Sequence, residues 1–142
     1  MFQILYTLTG EVIHGKENGR TVGMPTANIK ISDINKLPVF GVYATVVNVD
    51  GNHYDGVTNV GQRPSVDQSP EITVETFLLD FKGDLYGKII QVDFYKFLRD
   101  TMKFDSLKDV KRQVMKDCEA AMEFFHDSSK SWRCPKRDFT QI

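Results

Sequence analysis

Hydrophobic positions along this chain change their period once. Up to Arg99 they fall in short runs of β-branched and aromatic residues cut by Gly, Pro, Asn and Asp, and beyond it they recur at steps of three and four. The first pattern predicts strands and the second a helix. Ile4 to Ile13 is one such run, with Gly10 inside it, which predicts a bend or bulge in place of one straight strand. Val42 to Val49 reads as a strong strand and is followed by Asp50-Gly51, a hairpin-turn dipeptide, so a partner strand is expected from near His53 towards Val60. Ile72 to Phe81 and Lys88 to Leu98 are expected to form a further pair, joined by Lys82-Gly83-Asp84 and Tyr86. Consecutive short strands with no helical period between them predict an antiparallel barrel or sandwich, not a βαβ fold.

After Arg99, the residues Leu107, Val110, Val114, Cys118, Ala121, Met122 and Phe125 fall on one helical stripe, with Lys108, Lys111, Arg112, Lys116 and Glu119 largely between them. Asp105 or Ser106 can cap this helix, and Asp109 suits its positive end. The stripe has a sufficient use in covering a barrel. Beyond Phe125 the chain turns polar (His126 to Ser131) and loses any period around Trp132 and Pro135. Residues 1–125 therefore read as one domain and 126–142 as an extension.

Composition narrows the function classes. With 142 residues and 41% hydrophobic content, the chain can fill a single core. Its 18 basic and 19 acidic side chains leave a net charge of -1, which argues against capture of nucleic acid or an anionic membrane by the whole surface. Any phosphate binding must be local. Residues 41–100 are the acidic part, with 5 basic and 9 acidic side chains. No apolar run reaches the length of a membrane span, and Met-Phe-Gln-Ile-Leu lacks the basic flank of a secretory signal, so a cytoplasmic location is expected. Cys118 and Cys134 form neither a disulfide framework nor a zinc site and are expected as free thiols, and His14, His53 and His126 share no metal-ligand spacing.

Local phosphate binding has two readings. Gly10-Glu-Val-Ile-His-Gly15-Lys16 matches the first part of a Walker loop, but Glu17 stands where a magnesium-binding hydroxyl belongs, and Gly19, Gly23 and Pro25 oppose the helix that must follow. The better reading is a flexible loop punctuated by Gly15, Gly19 and Gly23, whose amides can approach an anion closely alongside Lys16 and Arg20. A mobile surface loop is the plain alternative. Pro25-Thr26-Ala27-Asn28 then offers a hydroxyl and an amide oxygen two positions apart, which extended backbone projects to one side. Hard, neutral oxygens of this kind suit magnesium shared with nucleotide phosphates. An ordinary turn with Asn28 bonded to backbone would account for the same residues.

The ordered series of motifs settles more than any one of them. Gly15 to Ile29, Gly41-Val-Tyr-Ala44, Asn59-Val-Gly-Gln-Arg-Pro64, Val74-Glu-Thr-Phe-Leu-Leu-Asp-Phe81, Asp84-Leu-Tyr-Gly87 and Phe97-Leu-Arg99 followed by Phe104-Asp-Ser-Leu107 stand in the order seen in riboflavin kinases. From about Leu8 to about Phe125 the chain resembles the kinase domain of bacterial bifunctional riboflavin kinase/FMN adenylyltransferases. This resemblance implies a six-stranded antiparallel Greek-key β-barrel with one long C-terminal helix. It also implies transfer of the γ-phosphate of ATP to the terminal ribityl hydroxyl of riboflavin, giving FMN and ADP.

Residue by residue, the resemblance makes Thr26 and Asn28 magnesium ligands and Glu75 the catalytic base. Strand alternation by itself puts Glu75 on a face with Thr73, Phe77, Leu79 and Phe81, and leaves open whether that face meets solvent. The resemblance places Gly15, Arg20 and Gly23 in the loop over the nucleotide phosphates, and Leu78, Asp80 and Tyr86 near the adenine. Arg99, Met102 and Phe104 become candidates for the flavin ring, Phe104 by stacking and Arg99 by hydrogen bonding. Arg63, before Pro64, reads as a structural turn residue. The implied partners are riboflavin, FMN, ATP and ADP, with no nucleic acid and no membrane, acting on a monomer.

Two alternatives stand beside this reading: a flavin-binding barrel without transfer activity, and an interaction module docking through the basic helix. Thr26, Asn28 and Glu75 separate the first from an enzyme, and all three are present. The space before Thr7 cannot hold an adenylyltransferase domain, so the chain, whether a natural single-function enzyme or an excised domain, is expected to stop at FMN.

Overall fold

A computed structural model of the protein describes residues 3–13, 26–31, 37–64, 70–79, 81 and 83–126. Among the described residues, six strands, β1 (Tyr6–Ile13), β2 (Ala27–Ile29), β3 (Gly41–Val49), β4 (Asn52–Pro64), β5 (Pro70–Leu78) and β6 (Ile89–Arg99), precede one helix, α1 (Leu107–His126). The strands close into a barrel in the order β1-β2-β5-β4-β3-β6, with every pairing antiparallel. This is the mainly β, six-stranded antiparallel barrel with one helix that the family resemblance implies, and it decides between the barrel and the sandwich that the residue pattern left open. No helix among the described residues is long and apolar enough to cross a membrane.

Alternation sorts each strand into an inner and an outer face. Val12, Ala27, Ile29, Tyr43, Val47, Val60, Val74, Leu78, Ile90, Val92 and Phe94 fill the barrel. Val42, Ala44, Val46, Val57, Phe77 and Leu79 point outwards into a second cluster, completed by Cys118, Ala121 and Phe125 of α1. The helix therefore covers one outer face of the sheet, as its stripe requires. Ser106 caps it, its Oγ accepting the Asp109 N–H at 3.2 Å.

The barrel interior is not wholly apolar. The hydroxyls of Thr45, Thr58 and Thr76 lie on three neighbouring strands at 3.0 and 2.8 Å from one another, all fully buried. Each satisfies its neighbour, so the chain of hydroxyls avoids most of the desolvation cost of unpaired polar groups.

Asp50 and Gly51 form the expected β3–β4 turn, both with positive φ (50° and 84°), as a two-residue hairpin turn demands. Other expectations need correction. Gly10 makes no bend: β1 pairs with β6 in unbroken register from Tyr6 to Glu11. Its glycine serves close approach, since a Cβ there would lie 2.7 Å from Ile29 Cγ2 and 2.9 Å from the Lys30 carbonyl oxygen. The runs Ile72–Phe81 and Lys88–Leu98 do not pair with each other. β5 lies between β2 and β4, and β6 between β1 and β3, because the connection drops Leu85 into the core and bonds back to β1 through Gly87 N–H to the Val12 carbonyl. Arg63 and Pro64 are strand residues opposite Glu71 and Pro70, so β4 outruns its hydrophobic pattern.

Among the described strand pairs, the register shifts in the β3–β6 ladder alone. Register shifts between Val42 and Tyr43 and between Ala44 and Thr45 add one residue each to β6. Phe97, which strict alternation from Phe94 would turn outwards, is thereby brought opposite Tyr43, their rings 5.3 Å apart and edge to face. Gly41 leaves room for this arrangement, for a Cβ there would collide with the Phe97 ring.

Candidate active site

Three polar side chains stand abreast on the outer face of the barrel. In β5, Glu75 is opposite Asn28 of β2 on one side and Asn59 of β4 on the other. Directly opposed residues share a face, with Cβ atoms about 4.5–5.5 Å apart in an antiparallel pair. Two residues along, their strands carry Phe77 and Val57, which are buried beneath α1. The row is therefore the polar continuation of the surface that the helix covers, and all three residues are half-buried. Thr26 immediately precedes β2, two residues before Asn28, and is itself half-buried.

These donors suit a hard cation. No group of three or more His, Cys, Asp or Glu side chains that could enclose a metal occurs among the described residues. A threonine hydroxyl and an asparagine oxygen could supply part of the shell of such a cation, with substrate phosphates supplying the rest. Among the described residues neither side chain has a hydrogen-bond partner that would occupy it. Gly15, Arg20, Gly23, Lys16 and Asp80 lie outside the described residues.

The flavin-ring candidates lie where β6 ends and leads to α1. Met102 is exposed and Phe104 half-buried. Arg99 is opposite Val42, on the outer face, and is tied to the helix: its Nε and Nη2 donate to the two carboxylate oxygens of Asp117 at 2.8 Å each, and Nη1 donates to the Asp100 carbonyl at 2.9 Å. Gln113 Nε2 donates to the same carboxylate at 3.0 Å. A ligand contact by Arg99 must use its remaining N–H groups. Leu78, expected near the adenine, packs its side chain into the barrel, while Tyr86 packs partly against that core at the opposite end of the β5–β6 connection.

Burial raises the pKa of Tyr43 and of Tyr95, the latter also through the negative charges of Asp93 and Asp55. The Tyr43 hydroxyl donates to the Val39 carbonyl at 2.6 Å, pinning the chain that enters β3.

Sequence reading left one residue of the row without a role. Counting back from the two-residue turn at Asp50-Gly51 gives Asn59 opposite Val42, a register legible in advance. Its position beside Glu75 was not legible, because the register of β4 on β5 is set across the 65–69 connection.

Comparison with known proteins adds an independent line. Residues 3–125 match the family model described as Flavokinase: Riboflavin kinase. The bifunctional riboflavin kinase/FMN adenylyltransferase of Bacillus subtilis is 38% identical over 127 residues, covering 88% of this chain and 40% of that protein. Its counterpart in Escherichia coli K12 is 41% identical over 121 residues, 84% of this chain and 38% of that one. The chain thus spans about two fifths of the length of these relatives. Among solved structures, a Streptococcus pneumoniae protein described as a macrolide-efflux protein superposes with a TM-score of 0.73 at 33% identity, over 81% of this chain and 38% of that one. Riboflavin kinase from Trypanosoma brucei gives 0.57 at 21% identity, over 84% and 76%, a likeness of fold.

Proposed function

From the premise that this chain belongs to the riboflavin kinase family, we propose that it transfers the γ-phosphoryl group of ATP to the terminal ribityl hydroxyl of riboflavin. The observation that carries this reading is the register that sets Asn28 beside Glu75, with Thr26 two residues before Asn28. One edge of the row offers metal-binding oxygens and its centre offers a base. The adenylyl transfer named for the longer relatives is not part of the proposal.

Phosphoryl transfer asks little covalent chemistry of a protein and much positioning. Glu75 orients the ribityl hydroxyl and accepts its proton as that oxygen bonds to the γ-phosphorus. The bond from phosphorus to the β,γ-bridging oxygen breaks, and ADP leaves with the electron pair. Thr26 and Asn28 would hold magnesium together with the nucleotide phosphates, and the ion supplies neutralisation of the charge on the transferring group. Gly15, Arg20 and Gly23 belong to the loop that would cover those phosphates, and Asp80 and Tyr86 to the adenine side, where Leu78 contributes backbone. Phe104, Met102 and the free edge of Arg99 are assigned to the flavin ring.

The test is direct. The purified chain with riboflavin and magnesium ATP should form FMN, and Glu75→Gln should cut turnover by about 10²-fold or more, the range for losing a positioned base, while riboflavin still quenches on binding. Near-normal turnover in that variant removes Glu75 as the base. Riboflavin binding without FMN in the unaltered chain favours a non-catalytic flavin barrel.

A further inference from the structure

We propose that Asn59 is a further substrate-binding residue, its side-chain amide holding the polyol chain of the flavin substrate next to Glu75. The inference rests on the riboflavin kinase reading and adds a residue to it. Asn59 flanks Glu75 on the side away from Asn28, so the carboxylate lies between two asparagines on one face of three adjacent strands. Asn59 is half-buried, and among the described residues its amide has no hydrogen-bond partner. Such a group, with two donors and two acceptor sites, is costly to leave idle as a ligand displaces water around it.

The amide also has a direction. A Cβ built on Gly61, two residues along the same face, would lie 3.6 Å from Asn59 Nδ2, 3.9 Å from its Oδ1 and 3.5 Å from Thr101 Cγ2. Gly61 therefore leaves a methyl-sized space between the Asn59 amide and Thr101, which lies in the 100–104 segment to which the flavin ring is assigned. In the sheet, Val42 is opposite Arg99 on one side and Asn59 on the other, and Asn59 is opposite Glu75, so a chain running across this row from the end of β6 to Glu75 passes Asn59. The three residues of the row then divide the chemistry by type. Asn28 offers an oxygen to a cation, Glu75 takes a proton, and Asn59 supplies the paired donor and acceptor that a run of hydroxyls requires, without ionising or competing for the proton.

Lumiflavin, which carries the same ring without the polyol, isolates the contact. Binding of riboflavin and of lumiflavin is measured by fluorescence in the unaltered chain, Asn59→Ala and Gly61→Ala, with melting curves as a check on folding. Asn59→Ala should weaken riboflavin about tenfold, the size of one or two lost hydrogen bonds. Its lumiflavin affinity and its KM for ATP should stay within about twofold, inside ordinary scatter for an untouched contact. Gly61→Ala, whose added methyl makes ordinary contacts, should show the same selective loss in milder form, and carries the test if Asn59→Ala does not fold. Equal losses for the two flavins overturn the proposal, because they place the effect on the ring or the fold. Unchanged riboflavin affinity in an otherwise active kinase overturns this inference alone. An unaltered chain that neither binds riboflavin nor makes FMN overturns the kinase reading and this inference with it.

Discussion

Replacing Asp117 with alanine should destabilise the protein by about 2–3 kcal/mol, and the figure can be built from the contacts it makes. Asp117 is 4% exposed and accepts three hydrogen bonds, two from Arg99 in a parallel bidentate pair and one from Gln113. Removing one partner of a buried ion pair costs about 3–5 kcal/mol when the surviving charge stays buried. The Arg99 side chain is 20% exposed, so the stranded guanidinium recovers some hydration and the cost falls below that range. For a domain of this size about 2–3 kcal/mol corresponds to a melting point lowered by roughly 6–12 °C. Urea titration gives the free energy, and a double-mutant cycle with Arg99→Met apportions it. The double variant should be more stable than the two single losses added together, since neither charge is left alone. A single-variant cost under about 0.5 kcal/mol, typical of surface substitutions, or strict additivity in the cycle, would refute the reasoning.

Further predictions concern the barrel. Thr58→Val removes the middle hydroxyl of the buried ladder at constant volume and should cost about 2–3 kcal/mol in urea titration, because Thr45 and Thr76 both lose a partner; a cost near zero would mean that each finds another. Stability should decline as pH rises above 10.0, the ordinary tyrosine value, because the unfolded chain releases its phenolic protons there while folded Tyr43 and Tyr95 retain theirs. The contribution is intact below that pH and lost as pH climbs through the raised folded values. Tyr95→Phe should flatten part of this decline, and an unchanged slope would remove Tyr95 from the account. Gly41→Ala should be strongly destabilising, since its methyl meets the Phe97 ring and lies 2.9 Å from the Arg99 carbonyl oxygen, and a melting point within about 2 °C of the parent, less than 1 kcal/mol, would contradict the packing described.

What the sequence disclosed follows the range of the forces involved. The β3–β4 hairpin was legible because its turn chemistry is local and the two-residue loop fixes the register. The helix was legible because seven apolar residues hold one period, and Cys118, Ala121 and Phe125 are buried on that stripe. The neighbours of β5 and β6 were not. Two well-marked strands joined by a short polar link suggest a hairpin, yet this link carries Leu85 into the core, and only closure of the whole sheet decides which edges meet. β2, three residues long, is below the length at which any period can show. Within the proposed site, Thr26, Asn28 and Glu75 were singled out only once a family resemblance ordered them, whereas the place of Asn59 beside Glu75 emerges from pairing across the barrel. Arg99 illustrates the converse, an arginine open to ligand binding by type whose donors are largely committed to Asp117.

The brevity of β2 has a thermodynamic consequence. Three residues close the barrel between β1 and β5, through the register pairs Val12–Ile29, Ile13–Asn28, Ala27–Thr76 and Asn28–Glu75. The narrowest seam of the sheet is thus the one that carries Asn28. Whatever grips Asn28 and Thr26 when the seam is shut, and loses them when it parts, favours closure by as much free energy as closure lends to its binding. The nucleotide and its cation would then act as a reversible staple in the wall of the barrel. Amide exchange at Ala27–Ile29, slowed in proportion to ligand concentration, would measure that linkage without reference to turnover.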